Sequence, residues 1–367
     1  MKKDINFKIV IMYAGAIIAF LIGSGFATGQ EVLQYFSAYG YFGVLGSLLT
    51  LILLAYVCSS FLIVGYQKKF EKGNDIYKYY CGDKLGICFD YFSTLFCFLS
   101  FIVMVAGASA TLKEHYNIGE IYGGGLIVIL AFITVIGGLS KIAEIVGKIG
   151  PVIVVIAISV GFITIVKNFS NLNPVILTSA LQELESYNRL VKASSTWYIA
   201  VFSYVGFCML WLAGFLSSLG AKLQNEEEAV LSGVLGAVLF SLAVMVVCLG
   251  LLSSISLTAG TQIPMLYLAN DIYPIFSTIF TFIILAGIYS TAVPLLWNVV
   301  SRFTKEKTNY FKILTMVLSV IALVVGIGLP FDRLVNIVYV INGYFGGGLL
   351  IIMLYRTATK NKSRKLN

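Results

Sequence analysis

Three short stretches carry the residues of this chain that are equipped for chemistry. The first is Ala19-Phe20-Leu21-Ile22-Gly23-Ser24-Gly25-Phe26-Ala27-Thr28-Gly29-Gln30-Glu31, three glycines and a run of polar residues inside an otherwise apolar segment. Glycine weakens a helix at its centre. An unwound segment there would expose the carbonyls of one half-helix and the amides of the next, and the amides of Gly25, Phe26 and Ala27 would favour a carboxylate or other anionic group. The second stretch is Phe202-Ser203-Tyr204-Val205-Gly206-Phe207, where a single glycine predicts a weaker break and Tyr204 and Phe207 would cover an apolar part of a solute.

The third stretch is Gly287-Ile288-Tyr289-Ser290-Thr291-Ala292-Val293-Pro294. Pro294 lacks the amide that would bond the Ser290 carbonyl, which leaves an acceptor beside two hydroxyls. Gly287, Ser290 and Thr291 share one helix face. Neutral oxygens grouped in this way suit a small hard cation such as sodium. Glu31 is an acid inside an apolar span and so a candidate proton or gating site by default. Plainer readings stand beside each of these: Gly23 and Gly25 as close-packing residues, Ser290 and Thr291 bonded back to their own helix, and Glu31 hydrated near the outer surface or bonded to Thr28 and Gln30.

These stretches have to be positioned by apolar helices. Of 367 residues, 59% are hydrophobic and 11% charged, against about 25% charged in soluble domains. Apolar runs long enough to cross a hydrocarbon core lie at Phe7 to Phe36, Tyr41 to Gly65, Leu85 to Ala110, Ile121 to Gly138, Ile149 to Val166, Ser195 to Leu219, Ala229 to Ile255, Pro274 to Val300, Phe311 to Gly328 and Leu334 to Leu354. With the N-terminus inside, 20 Lys and Arg fall on the cytoplasmic side and 5 outside, as retention of positive charge requires. This predicts ten spans in the plasma membrane with both termini cytoplasmic. The spans divide into residues 7–166 and 195–354, joined by an outer loop, 167–194, and followed by a basic tail, 355–367. Each half has five spans, so the halves are expected to cross in opposite senses as an inverted repeat.

The fold class expected is therefore an all-α integral membrane protein, a single transport domain spanning 1–367. Gly23-Ser24-Gly25-Phe26 resembles the Gly-Ser-Gly-aliphatic break of the amino acid, polyamine and organocation transporter superfamily with the LeuT-type fold. Phe202-Ser203-Tyr204-Val205-Gly206-Phe207 is similar to that superfamily's Phe-Ala-Tyr-x-Gly-aromatic break, and the longer string Gly23 to Phe36 resembles the YkvI-like family of bacterial membrane proteins. The resemblance implies ten helices in a 5+5 inverted repeat with helices 1 and 6 broken. It implies a solute site at Gly23, Ser24, Gly25, Phe26, Ala27, Ser203, Tyr204, Gly206 and Phe207. It also implies a sodium site made by the Ala19, Ile22 and Gly287 carbonyls with the Ser290 and Thr291 hydroxyls. Thr28-Gly29-Gln30-Glu31 is polar where many members are not, so amino acid as the solute is inherited only weakly. Proton-coupled members often carry a lysine near the ion site; the fifth span here has none.

Other classes fit less of the chain. The net charge of +8 is confined to loops and tails with no nucleic-acid motif. The six cysteines and the single His115 form no metal or nucleophile set, so no enzyme and no cofactor beyond a coupling ion is expected. The partners expected are the lipid bilayer and a small-molecule solute. A channel would need a filter or charged ring. The main rival is a membrane receptor of the same fold that senses a small molecule without moving it.

Overall fold

The computed structural model describes residues 5–364; the side chains of His115, Asp332 and 360–364 lie outside the described set, as do Lys2, Lys3 and the end of the basic tail. In chain order the α-helices are Phe7–Thr28 (α1), Gln30–Tyr35 (α2), Tyr41–Lys68 (α3), Asp75–Tyr116 (α4), Glu120–Val135 (α5), Leu139–Lys167 (α6), Pro174–Ser186 (α7), Trp197–Gly220 (α8), Glu226–Ser253 (α9), Ile255–Thr258 (α10), Pro264–Ile272 (α11), Pro274–Phe303 (α12), Asn309–Ile327 (α13) and Phe331–Arg364 (α14). Among the described residues, nine helices are long and apolar enough to cross a membrane. The remaining span, fourth in chain order, is α5, with 16 residues. α1 with α2 forms the first span and α8 the sixth. The tenth continues past Leu354 to Arg364, so much of the expected tail is helix.

Burial ranks the helices. The apolar windows of α1 and α8 are 83% and 89% buried, whereas that of α13 is 28%. α13 presents Tyr310, Ile313, Val317, Val320 and Val324 outward at helical spacing. Such a stripe is matched by lipid, which is as apolar as the side chains, so packing and small residues rather than water exclusion hold the bundle. The pieces with the chemistry are therefore those wrapped on every side.

Two glycines show how differently the same residue is used. Gly23 has φ +53° and ψ −178°, and it interrupts α1 as expected. Gly29 (φ +83°) interrupts the chain again, so Ser24–Thr28 is a single turn between two breaks rather than a half-helix. The sixth span departs from expectation: α8 runs unbroken from Trp197 to Gly220, with Ser203 to Phe207 helical. The reason is contact. A Cβ on Gly206 would land on the Gly343 carbonyl, and one on Gly346 would land on the Gly206 carbonyl, so Gly206 lets α8 and α14 touch backbone to backbone.

Asp90, near the start of the third span, is buried. It is 4% exposed and accepts from Arg302 Nε at 2.8 and 2.7 Å and from Asn74 Nδ2 at 2.8 Å. This buried fork ties α4 to α12. Glu144, by contrast, pairs with Lys148 at 2.8 Å on the surface. All six cysteines are free.

Candidate functional site

The first half of α1 ends at Gly23, and what it leaves unpaired is received by α12. Gly23 N donates to Thr291 Oγ1 at 2.8 Å. Thr291 Oγ1 in turn lies 2.9 Å from the Ala19 carbonyl and 3.0 Å from that of Phe20, and Ser290 Oγ lies 2.8 Å from both the Ala19 and Gly287 carbonyls. A hydroxyl has one hydrogen, so these contacts are more than two protons can serve. Five oxygens, three carbonyl and two hydroxyl, crowd one fully buried point without a formal charge. Gly287 makes the approach possible, because a Cβ there would meet Ile22 Cγ2 at 3.0 Å and Ala27 Cβ at 3.1 Å.

Of the expected ion ligands, Ala19, Gly287, Ser290 and Thr291 are thus brought together. Ile22 comes to the cluster through its side chain, and the second α1 carbonyl bonded there is that of Phe20. The family resemblance had implied Ile22; the carbonyl direction at a helix end just before a residue of positive φ is not legible from composition.

On the other side of the break is a cage of aromatic rings. Tyr204 packs against Tyr35, Phe36 and Phe207 with centroids 5.4, 4.9 and 5.0 Å apart, and Phe207 stacks on Tyr339 at 4.9 Å. Trp211 lies 5.1 Å from Phe207 and 5.2 Å from Tyr339. A Cβ on Gly25 would meet Tyr339 Cε2 at 3.2 Å and Glu31 Cβ at 2.8 Å, and would land on Glu31 Oε2. Glu31 is therefore neither near the surface nor bonded to Thr28 and Gln30. Its side chain is fully buried against the Tyr204 hydroxyl, and no N–H or cationic group reaches either carboxylate oxygen. The hydroxyl of Tyr35 lies beside that of Ser203, and the hydroxyl of Tyr339 beside that of Ser24, all of them buried.

The expected solute residues divide. Gly23, Ser24, Gly25, Tyr204 and Phe207 line this region. Ser203 and Gly206 face the glycines of α14, Phe26 turns to Phe240 (5.2 Å), and Ala27 abuts Gly287 at the oxygen cluster. Tyr339 on α14, Tyr35 and Trp211 were not anticipated. Tyr35 follows Glu31 by four residues, a spacing that places both on one helix face; nothing in the sequence singles out Tyr339.

At the end of the bundle that holds Arg302, a cavity of about 490 Å³ is lined by Gly73, Ser218, Lys222, Trp297, Lys305 and Glu306, among others. Trp297 contacts Phe215, and Phe215 contacts Phe20, at 6.3 and 5.0 Å, and Phe20 stacks on Trp211. A chain of rings thus stands between that cavity and the break.

No family model matches the chain. Two proteins of Bacillus subtilis (strain 168) are similar along nearly their whole length: YyaD, 23% identical over 349 residues (94% of this chain and 96% of YyaD), and the membrane protein YkvI, 20% identical over 360 residues (97% of each). Among solved structures, MhsT in complex with L-phenylalanine superposes with a TM-score of 0.65 at 16% identity, covering 93% of this chain and 87% of MhsT. A manganese transporter of Eremococcus coleocola superposes at 0.62 with 15% identity, covering 94% and 78%. The chain is thus a ten-span membrane protein with the LeuT-type fold, and a distant relative of YyaD and YkvI.

Proposed function

We propose that the protein is a secondary active transporter of a small organic solute, an amino acid or related metabolite, working by alternating access. The observation that carries the proposal is the break at Gly23, with an oxygen cluster on one side and an aromatic cage with a buried acid on the other. Irregular backbone at membrane depth persists only where it lines a site or is enclosed by protein, and this one does both. The proposed solute site is Gly23, Ser24, Gly25, Tyr204 and Phe207, with Tyr35, Trp211 and Tyr339. The crystal structure of MhsT holds L-phenylalanine, which supports a solute of that size; the manganese transporter of the same fold shows that the fold alone does not choose the cargo.

Sodium is the coupling ion on this reading, bound by the Ala19, Phe20 and Gly287 carbonyls and the Ser290 and Thr291 hydroxyls. The fit is chemical: five neutral oxygens, no titrating group, and the carbonyl end of a helix segment, which favours a cation. The two halves, 7–166 and 195–354, form an inverted repeat, and both termini lie in the plasma membrane's cytoplasmic face. The cavity beside Lys222 is then a cytoplasmic vestibule, and the Asp90 to Arg302 fork holds that side closed.

The test is uptake of labelled amino acids and amines into proteoliposomes with and without a sodium gradient. Ser290→Ala with Thr291→Ala removes the sodium dependence, and Glu31→Gln does not. The seclusion of Glu31 favours one other reading, a proton carried by that residue. Sodium-independent uptake driven by a pH gradient and lost in Glu31→Gln would establish it, and solute binding with no uptake in any gradient would mean a receptor.

A further inference from the structure

We infer that the solute's recognised group is a protonated nitrogen and that Glu31 is its counter-charge, a deepening that rests on the solute site proposed above. Three acids among the described residues are buried: Asp90, Glu228 and Glu31. Asp90 has Arg302 and Asn74, and Glu228 accepts from the Asn6 amide at 3.0 Å. Glu31 alone of the three meets neither a charged group nor an amide among the described residues, only the neutral Tyr204 hydroxyl. An enclosed carboxylate without a counter-charge is costly, and a bound ammonium would relieve that cost.

The surroundings specify the partner. The hydroxyl of Tyr204 faces Glu31 and those of Tyr35 and Tyr339 stand near it, each able to accept from an N–H donor. Around them stand the rings of Tyr35, Tyr204, Phe207, Trp211 and Tyr339, whose faces attract an ammonium once it is desolvated. A transition-metal ion would want several carboxylates, imidazoles or thiolates, and no group of three His, Cys, Asp or Glu occurs among the described residues.

An anionic head is opposed on two counts. The turn Ser24–Thr28, cut short by Gly29, is too brief to carry the end charge of a helix. The space against Gly25 where a carboxylate would approach already holds the Glu31 carboxylate. The oxygen cluster lies apart, on the Ala27 side of the break, so ion and solute need not compete.

The test is thermal unfolding of the purified full-length protein in detergent with sodium present, titrated with phenethylamine, L-phenylalanine and 3-phenylpropionate. Phenethylamine and phenylalanine are expected to raise the midpoint and phenylpropionate to leave it unchanged, with affinity for phenethylamine falling at least about tenfold in Glu31→Gln. Should that variant not fold, dicyclohexylcarbodiimide labelling of Glu31 in the unaltered protein, read by peptide mass, is expected to be blocked by phenethylamine. Phenylpropionate binding, phenylalanine binding without phenethylamine, unchanged amine affinity in Glu31→Gln, no protection of Glu31, or no response to phenethylamine, butylamine and putrescine alike would each overturn the inference. Amine binding without uptake into proteoliposomes would leave it standing and remove the transport reading. Phenylpropionate uptake that survives Glu31→Gln would do the reverse.

Discussion

Gly23 and Gly206 sit in the first and sixth spans, each within three residues of an aromatic and a serine, yet only one of them breaks its helix. Gly23 adopts a left-handed backbone, and its amide is taken up by Thr291. Gly206 stays helical, and its missing side chain is used as contact area for α14. A break in an apolar span therefore requires two things, a residue tolerant of positive φ and a neighbour that receives the freed polar groups. Glycine supplies only the first. Around Gly206, α8 meets Gly343, Gly346 and Gly347 of α14 backbone to backbone, and its own helical bonds stay intact.

The comparison predicts opposite failures. Gly206→Ala places a methyl group on the Gly343 carbonyl and must force two helices apart, at a cost of about 3 kcal/mol or more; the midpoint of thermal unfolding should fall sharply, while whatever protein folds should retain its ion response. Gly23→Ala should cost about 1–3 kcal/mol, because φ +53° with ψ −178° is nearly confined to glycine, and remove solute uptake almost completely. If Gly23→Ala transports normally, the break is not the site.

A smaller effect separates the hydroxyls. Thr291→Ala deletes the acceptor for the Gly23 amide and should cost about 1–2 kcal/mol and abolish stabilisation by sodium. Ser290→Ala removes only a donor to two carbonyls, and should weaken the sodium response without altering stability in its absence by more than about half as much. Equal losses in the two variants would mean that Thr291 does not pin the break. The smallest effect is expected at Gly348, on the same helix as Gly346 but with open space where its Cβ would be. Gly348→Ala should be neutral or stabilising by up to about 1 kcal/mol, which checks that the penalty at Gly206 comes from contact and not from glycine as such.

The ten spans were legible because length and the absence of charge suffice to mark them, and Phe7, Tyr41 and Pro274 begin helices where the apolar runs begin. The α1 break was legible because three glycines crowd thirteen residues. What escaped depended on partners distant in sequence. The continuity of α8 is decided by glycines 137 to 141 residues further on, the burial of Asp90 by Arg302, and the ring over Gly25 by Tyr339, none of which local composition can signal. α7, α10 and α11 were missed for another reason: at 13, 4 and 9 residues they are too short for the hydropathy that marks a span.

The fourth span has a consequence for the medium around the protein. Sixteen helical residues rise about 24 Å, against a hydrocarbon thickness near 30 Å, and α5 turns Tyr122, Leu126, Ile129 and Ile133 outward where acyl chains must meet it. The bilayer has to pinch beside this helix, at fractions of a kcal/mol per Å of mismatch, while the longer helices elsewhere on the perimeter ask for no such pinching. The annulus around the molecule is accordingly lopsided. Shorter-chain phospholipids should gather along the α5 flank, and a vesicle series graded by acyl length should raise the melting temperature as the membrane thins toward that flank.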